Sequence, residues 1–134
     1  MKSKTLVVIL GQARADRLTW DSFQKNVLDA LQADLALCIG ESIDNNSSNR
    51  FWAHARYHWV VPEYEDFGDG FDQIQRDRHR KNSDWRQVLT VPDQWLGGVK
   101  GENEHPGSAG ILVYLKAKLL EFLDQEEIKN QYDR

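Results

Sequence analysis

The stretch from Thr5 to Gly40 restricts the fold more than any other part of the chain. Thr5-Leu6-Val7-Val8-Ile9-Leu10 is an unbroken apolar run rich in β-branched residues, without the alternation of a strand that has one wet face. It suits a strand covered on both sides, at the centre of a parallel sheet. Gly11 ends the run, and Arg14, Asp16 and Arg17 follow in a polar turn. Thr19 is placed to act as N-cap of a helix, with Asp21 in the first turn, where negative charge suits the helix dipole. Phe23, Val27, Leu28 and Leu31 recur at helical spacing and define one buried face. Asp34 breaks the pattern, and Leu35-Ala36-Leu37-Cys38-Ile39 forms a second buried run that closes at Gly40. Strand, helix and strand in this order make a βαβ unit over residues 4–40, with a crossover expected to be right-handed.

Length and composition extend this expectation to the whole molecule. With 134 residues, 40% of them hydrophobic, the chain supports one modest core, so residues 1–134 are expected to form a single α/β domain, a three-layer sandwich with a mainly parallel sheet. A formal charge of −4 argues against affinity for nucleic-acid backbone or anionic lipid, both of which require surplus Lys and Arg. The basic segment Arg76-Asp77-Arg78-His79-Arg80-Lys81 reads as a solvated helix end. Cys38 is the only cysteine and lies in an apolar run, so it is assigned to the core. Thr5 to Leu10 is too short for a signal-peptide core, and no segment approaches the ~20 apolar residues of a membrane helix. A cytoplasmic, reducing location is the resulting expectation.

Beyond Gly40 the pattern is less regular. Glu41 to Arg50 is rich in Asn, Ser and Asp, which compete with regular backbone pairing and mark a mobile loop. Phe51 to His58 has the composition of a short helix and Tyr57 to Val61 that of a strand, stopped by Pro62. Gly68 to Arg80 reads as a weak helix, and Trp85, Val88, Leu89 and Trp95 as anchors for an irregular stretch. Gly97, Gly98, Gly101 and Gly107 make a flexible loop, followed by a helix with Ile111, Leu112, Leu115, Leu119, Leu120 and Leu123 on its apolar stripe and Ser108 as N-cap.

Two places are suited to binding chemistry. Gly11-Gln12-Ala13-Arg14 follows the first buried strand, and open α/β sheets bind ligands outside the carboxyl ends of their strands. Its spacing matches neither the dinucleotide glycine fingerprint nor a P-loop, so position carries the assignment. The second is the glycine-rich loop that feeds a helix N-terminus, where Lys100, His105, Gly107, Ser108 and Gly110 supply donors and charge for a phosphate or sugar. Each also has a structural explanation in turn formation and helix packing. The carboxylates of Glu63, Glu65, Asp66, Asp69 and Asp72 fit no calcium loop and read as a solvated segment, with Asp69 or Asp72 as helix cap. His54 and His58 are four residues apart, but no third ligand accompanies them, and no metal site is assigned. Ser47 and Ser48 lack the strained turn of a hydrolase nucleophile.

Three segments carry a family resemblance: Lys4 to Ala15, Asp34 to Gly40, and His105-Pro106-Gly107-Ser108-Ala109-Gly110-Ile111-Leu112. Together they resemble the N-terminal half of GT-A type glycosyltransferase-like proteins of viruses and marine microbes. The resemblance implies that the first strand and its turn hold the nucleotide of a sugar donor, with Gly11, Gln12, Ala13 and Arg14 beside the base or phosphates, and that Mg or Mn accompanies that donor. The family's Asp-x-Asp metal motif normally lies on a strand after this half, and none occurs after the glycine-rich loop. The resemblance therefore implies a donor-binding half that is completed by a C-terminal half or by a partner. A non-catalytic self-association module is the other expectation, with Trp59, Trp85 and Trp95 as candidate contacts, although core anchoring is the simpler explanation of these tryptophans.

Overall fold

The computed structural model describes residues 4–78 and 108–134. The chain divides into two compact units, Met1–Pro62 with Lys118–Arg134, and Glu63–Ala117.

The first unit is built on a parallel sheet of three strands, β1 (Leu6–Gly11), β2 (Asp34–Gly40) and β3 (Tyr57–Val61), in the order β1-β2-β3. Leu6 to Gly11 pair with Asp34 to Ile39, and Ala36 to Gly40 pair with Tyr57 to Val61. The α/β class and the βαβ unit are as the sequence implies. The strand at the centre is different: among the described residues it is β2, with Leu35, Ala36, Leu37, Cys38 and Ile39 buried, whereas β1 is half-buried along its length. A continuous apolar run signals that both faces are covered, but it carries no information on whether both edges are paired.

Helix α1 (Asp16–Phe23) continues directly into a π-helical stretch over Gln24–Asp29. Thr19 is not its cap. The helix starts three residues earlier, behind Ala15, and the Thr19 hydroxyl donates to the Ala15 carbonyl at 2.8 Å from within the first turn. The wider π turn also changes which side chains face inward. Trp20, Phe23 and Leu28 join the core, and the step from Phe23 to Leu28 is the i, i+5 spacing of a π turn. Leu31, assigned to the buried face by regular helical spacing, is exposed. Gln32, at a φ of 50°, then ends the helical segment, and the Ala33 N–H donates to the Leu28 carbonyl at 2.9 Å.

Helix α2 (Arg50–His54) packs Phe51 edge-on against Trp20, with ring centroids 5.3 Å apart, and against Phe23 at 5.4 Å. These rings and Leu35, Leu37 and Ile39 form one core cluster, each fully buried aliphatic side chain contributing about 1.5–3 kcal/mol. His54 stacks on Trp20, and its Nδ1 lies 2.8 Å from the Arg50 carbonyl. His58 packs on Trp52 with Nε2 2.7 Å from that residue's carbonyl. Because His54 ends a helix and His58 belongs to β3, the helical i, i+4 relation never forms. On the other face of the sheet Trp59 is buried and stacks on Phe122 at 5.1 Å, which withdraws it as an exposed self-association contact. Cys38 is fully buried, and burial pushes its thiol up to about 11.

The last residues of the chain close over the amino-terminal ends of the strands. Leu6 N–H donates to the Arg134 carbonyl at 2.7 Å and Asp133 N–H to the Lys4 carbonyl at 2.9 Å. Asp34 accepts from the Tyr132 hydroxyl at 2.5 Å and from the Arg56 guanidinium at 2.7 Å, and Arg56 also reaches Gln131 at 2.9 Å.

In the second unit α3 (Phe67–Asp77) is capped by Asp66, whose carboxylate accepts from the Gly68 N–H at 2.8 Å, while Asp69 sits in the first turn. Asp66, not Asp69 or Asp72, is thus the cap, and the helix ends before Arg80. Arg76 occupies its last turn and Arg78 its C-cap, both exposed, as expected of a solvated helix end. Helix α4 (Ser108–Leu123) contains Ser108 as its first residue. Its buried positions in this unit are Tyr114 and Leu115, whereas Leu112 is exposed, as is Leu120 further along. The helix is apolar nearly all round, so the count of leucines overstated the width of its buried stripe. A β-carbon at Gly70 would lie 3.0 Å from the Tyr114 ring and 3.1 Å from that of Tyr64, so a larger residue there would require these rings to shift by a few tenths of an ångström. Helix α5 (Glu126–Lys129) completes the described elements, with Ile128 buried. Among the described residues no helix is long and apolar enough to cross a membrane.

Candidate functional site

A parallel sheet sends every strand's carboxyl end to the same edge, so the β1–α1 and β2–α2 loops emerge side by side. Between them lies a cleft of about 320 Å³, lined by residues 13–15 of the first loop, by Asp16 and Arg17 at the start of α1, and by Asp44, Asn46, Ser48 and Asn49 of the second loop. This is where the ligand of an open α/β sheet is expected. Its volume falls at the lower end of the range for small-molecule sites.

The four residues singled out after β1 divide into two kinds. Ala13 and Arg14 line the cleft; Gly11 and Gln12 do not. Gly11 is the last residue of β1 and has a φ of 114°, a conformation that favours glycine. A β-carbon there would meet no protein atom within 4 Å, so the backbone turn is what calls for glycine. Gln12 acts through Arg14, since its side-chain oxygen accepts from Arg14 Nε and holds the guanidinium. The two terminal nitrogens of Arg14 remain available to a ligand.

Ala15 enters α1 at φ 55°, in the left-handed region, with no side chain to cap the helix. The N–H groups of Asp16 and Arg17 lie in the first turn, where no intrahelical acceptor exists. Asp16 turns its carboxylate to the second loop and accepts from the Arg50 N–H at 2.9 Å. Arg50 in turn pairs with Asp21 at 3.1 Å, though both side chains are exposed and the pair adds little to stability.

The second loop is stitched to itself by its own polar side chains. Asn46 accepts from the Ser48 N–H at 2.9 Å and donates to the Ile43 carbonyl at 2.8 Å, and Asn45 donates to the Gly40 carbonyl at 3.0 Å. Asn49 is buried, donates to the Ala13 carbonyl at 2.7 Å, and accepts from the Trp52 N–H as the cap of α2. Among the charged residues that line the cleft, Arg14 keeps its two terminal nitrogens unbonded, and Arg17 and Asp44 have no side-chain bond among the described residues.

Arg17, Asp44 and Asn49 were not among the residues singled out from the sequence. Asn49 carried a legible signal, an Asn two residues before the apolar pair Phe51-Trp52 that marks a short helix. Of the residues proposed for the second site, Lys100, His105 and Gly107 lie outside the described residues, and Ser108 and Gly110 are in the first turn of α4. Trp85, Val88, Leu89 and Trp95 also lie outside them.

The family resemblance implies magnesium or manganese with the donor. Among the described residues no three His, Cys, Asp or Glu side chains converge, and of the two cleft carboxylates Asp16 is engaged by Arg50. The available countercharges for an anion are Arg14 and Arg17. The chain matches no protein-family model, no curated protein sequence and no solved structure.

Proposed function

We propose that this chain is the donor-binding part of a glycosyltransferase-like protein and holds a nucleoside diphosphate sugar in the cleft between the β1–α1 and β2–α2 loops. The observation that carries this is the pairing of two open guanidinium groups with a helix start at the carboxyl ends of parallel strands. Guanidinium groups bind phosphate oxygens in pairs, and helix N-termini favour negative charge. Two apolar side chains next in sequence to lining residues are open to solvent: Leu18 in the first turn of α1, 87% exposed, and Ile43 in the second loop, 94% exposed. A base or sugar gains by covering such surface.

Calorimetric titration with UDP-, GDP- and dTDP-linked sugars, with and without magnesium or manganese, tests this assignment. At least one donor should bind, and binding should weaken when Arg14 and Arg17 are both replaced by alanine. Failure of every donor at millimolar concentration overturns it.

A further inference from the structure

We infer that Asp44 recognises the ribose of the ligand through its 2′- and 3′-hydroxyls, an assignment that rests on the nucleotide reading above. A pocket built only for phosphate has no use for a carboxylate, because like charge repels the anion. Asp44 nevertheless lines the cleft with Arg14 and Arg17. Its neighbours Asn46 and Ser48 are spent on bonds within the loop, whereas its own carboxylate has no partner among the described residues. Asp16 differs, since the Arg50 N–H engages it.

A carboxylate accepts hydrogen bonds and donates none. The ligand must therefore bring hydrogen-bond donors as well as negative charge. In a nucleotide the donors nearest the phosphates are the vicinal ribose hydroxyls, which can both reach one carboxylate. A cleft of about 320 Å³ has room for phosphate and pentose, and leaves the base outside it. Asp44 then repels phosphate groups that arrive without a ribose and offsets that repulsion only for a ligand that carries one. It is a selectivity device for ribonucleotides over deoxyribonucleotides and over inorganic pyrophosphate.

The test is calorimetric titration of the wild-type chain, Asp44→Ala and Asp44→Asn with ADP, GDP, UDP and CDP, with their 2′-deoxy counterparts, and with pyrophosphate. Wild type should bind the preferred ribonucleotide about tenfold to a hundredfold more tightly than its deoxy form, as the loss of charge-assisted hydrogen bonds implies. In Asp44→Ala that preference should vanish, while pyrophosphate binds more tightly than to wild type. Opposite changes for two ligands cannot arise from a damaged fold. Equal ribose and deoxyribose binding in wild type, or a preference that persists in Asp44→Ala, overturns the role of Asp44 and leaves the nucleotide reading intact. If no nucleoside diphosphate binds wild type, the nucleotide reading falls and this inference falls with it.

Discussion

Asn49 Nδ2 donates to the Ala13 carbonyl over 2.7 Å, joining two loops that are 36 residues apart in sequence. The same side chain accepts from the Trp52 N–H at 3.2 Å, so one amide both caps α2 and holds the wall of the cleft. The amide supplies the donor and the acceptor on two separate atoms of one side chain.

Replacing Asn49 separates these tasks. Asn49→Ala leaves the Ala13 carbonyl and the Trp52 N–H unpaired and is expected to cost about 2 kcal/mol. Asn49→Asp keeps the cap but aims negative charge at a carbonyl, so its cost should come from the Ala13 side alone. Urea denaturation of both variants measures this, and wild-type stability in Asn49→Asp would show that the Ala13 bond contributes nothing.

Arg14→Ala separates binding from folding. The guanidinium is exposed, so its loss should shift the melting temperature little, while donor affinity falls about tenfold to a hundredfold. Arg78→Ala, at the exposed C-cap of α3, is the control and should bind as wild type does. Equal affinity in wild type and Arg14→Ala would remove Arg14 from the site.

The contrast between β1 and the second loop explains what was legible. The runs at Leu6 to Leu10 and Leu35 to Ile39, and the strand from Tyr57 to Val61, were plain because a strand's apolar period is local. The turn after β1 was likewise placed at the site by topology. Asp44 was not, although the same topological rule brings the loop after β2 to the same edge. The Asn and Ser content of that loop signalled irregular backbone, and sequence does not say which polar side chains will be consumed by their neighbours. Leu31 and Thr19 were misplaced for a related reason: a π turn and a helix start at Ala15 both shift the phase of the helix, and neither leaves a mark in the hydrophobic spacing.

Ala15 offers a test of strain beside the cleft. At φ 55° its β-carbon crowds the backbone, a conformation that costs about 1–2 kcal/mol for a residue other than glycine. Ala15→Gly removes that crowding but adds freedom to the unfolded chain, roughly 0.4–1 kcal/mol in the opposite direction. The net expectation is a gain between about 0 and 1.6 kcal/mol. A destabilised Ala15→Gly in thermal melts would show that the left-handed turn is not strained.

At the opposite ends of the strands, Asp34 predicts how stability depends on pH. The Tyr132 hydroxyl holds its carboxyl below the usual range, with help from Arg56 and against partial burial. A carboxyl depressed on folding adds stability above its unfolded value, near 3.9, and that stability is lost as pH falls through the folded value. Tyr132 is shifted the other way, because burial and the bond to Asp34 both raise its pKa. Its contribution is complete below about pH 10 and is lost as pH rises beyond that. Tyr132→Phe removes both effects while keeping the ring against Tyr57. With Asp34 half-exposed, solvent screening limits the loss at pH 7 to about 1 kcal/mol. The difference between wild type and Tyr132→Phe should therefore be constant from pH 5 to 9 and shrink below pH 4, where Asp34 takes up a proton in both. Melting curves from pH 2.5 to 9 measure it, and a difference that stays the same through the acid range would mean that the Tyr132 hydroxyl does not control Asp34.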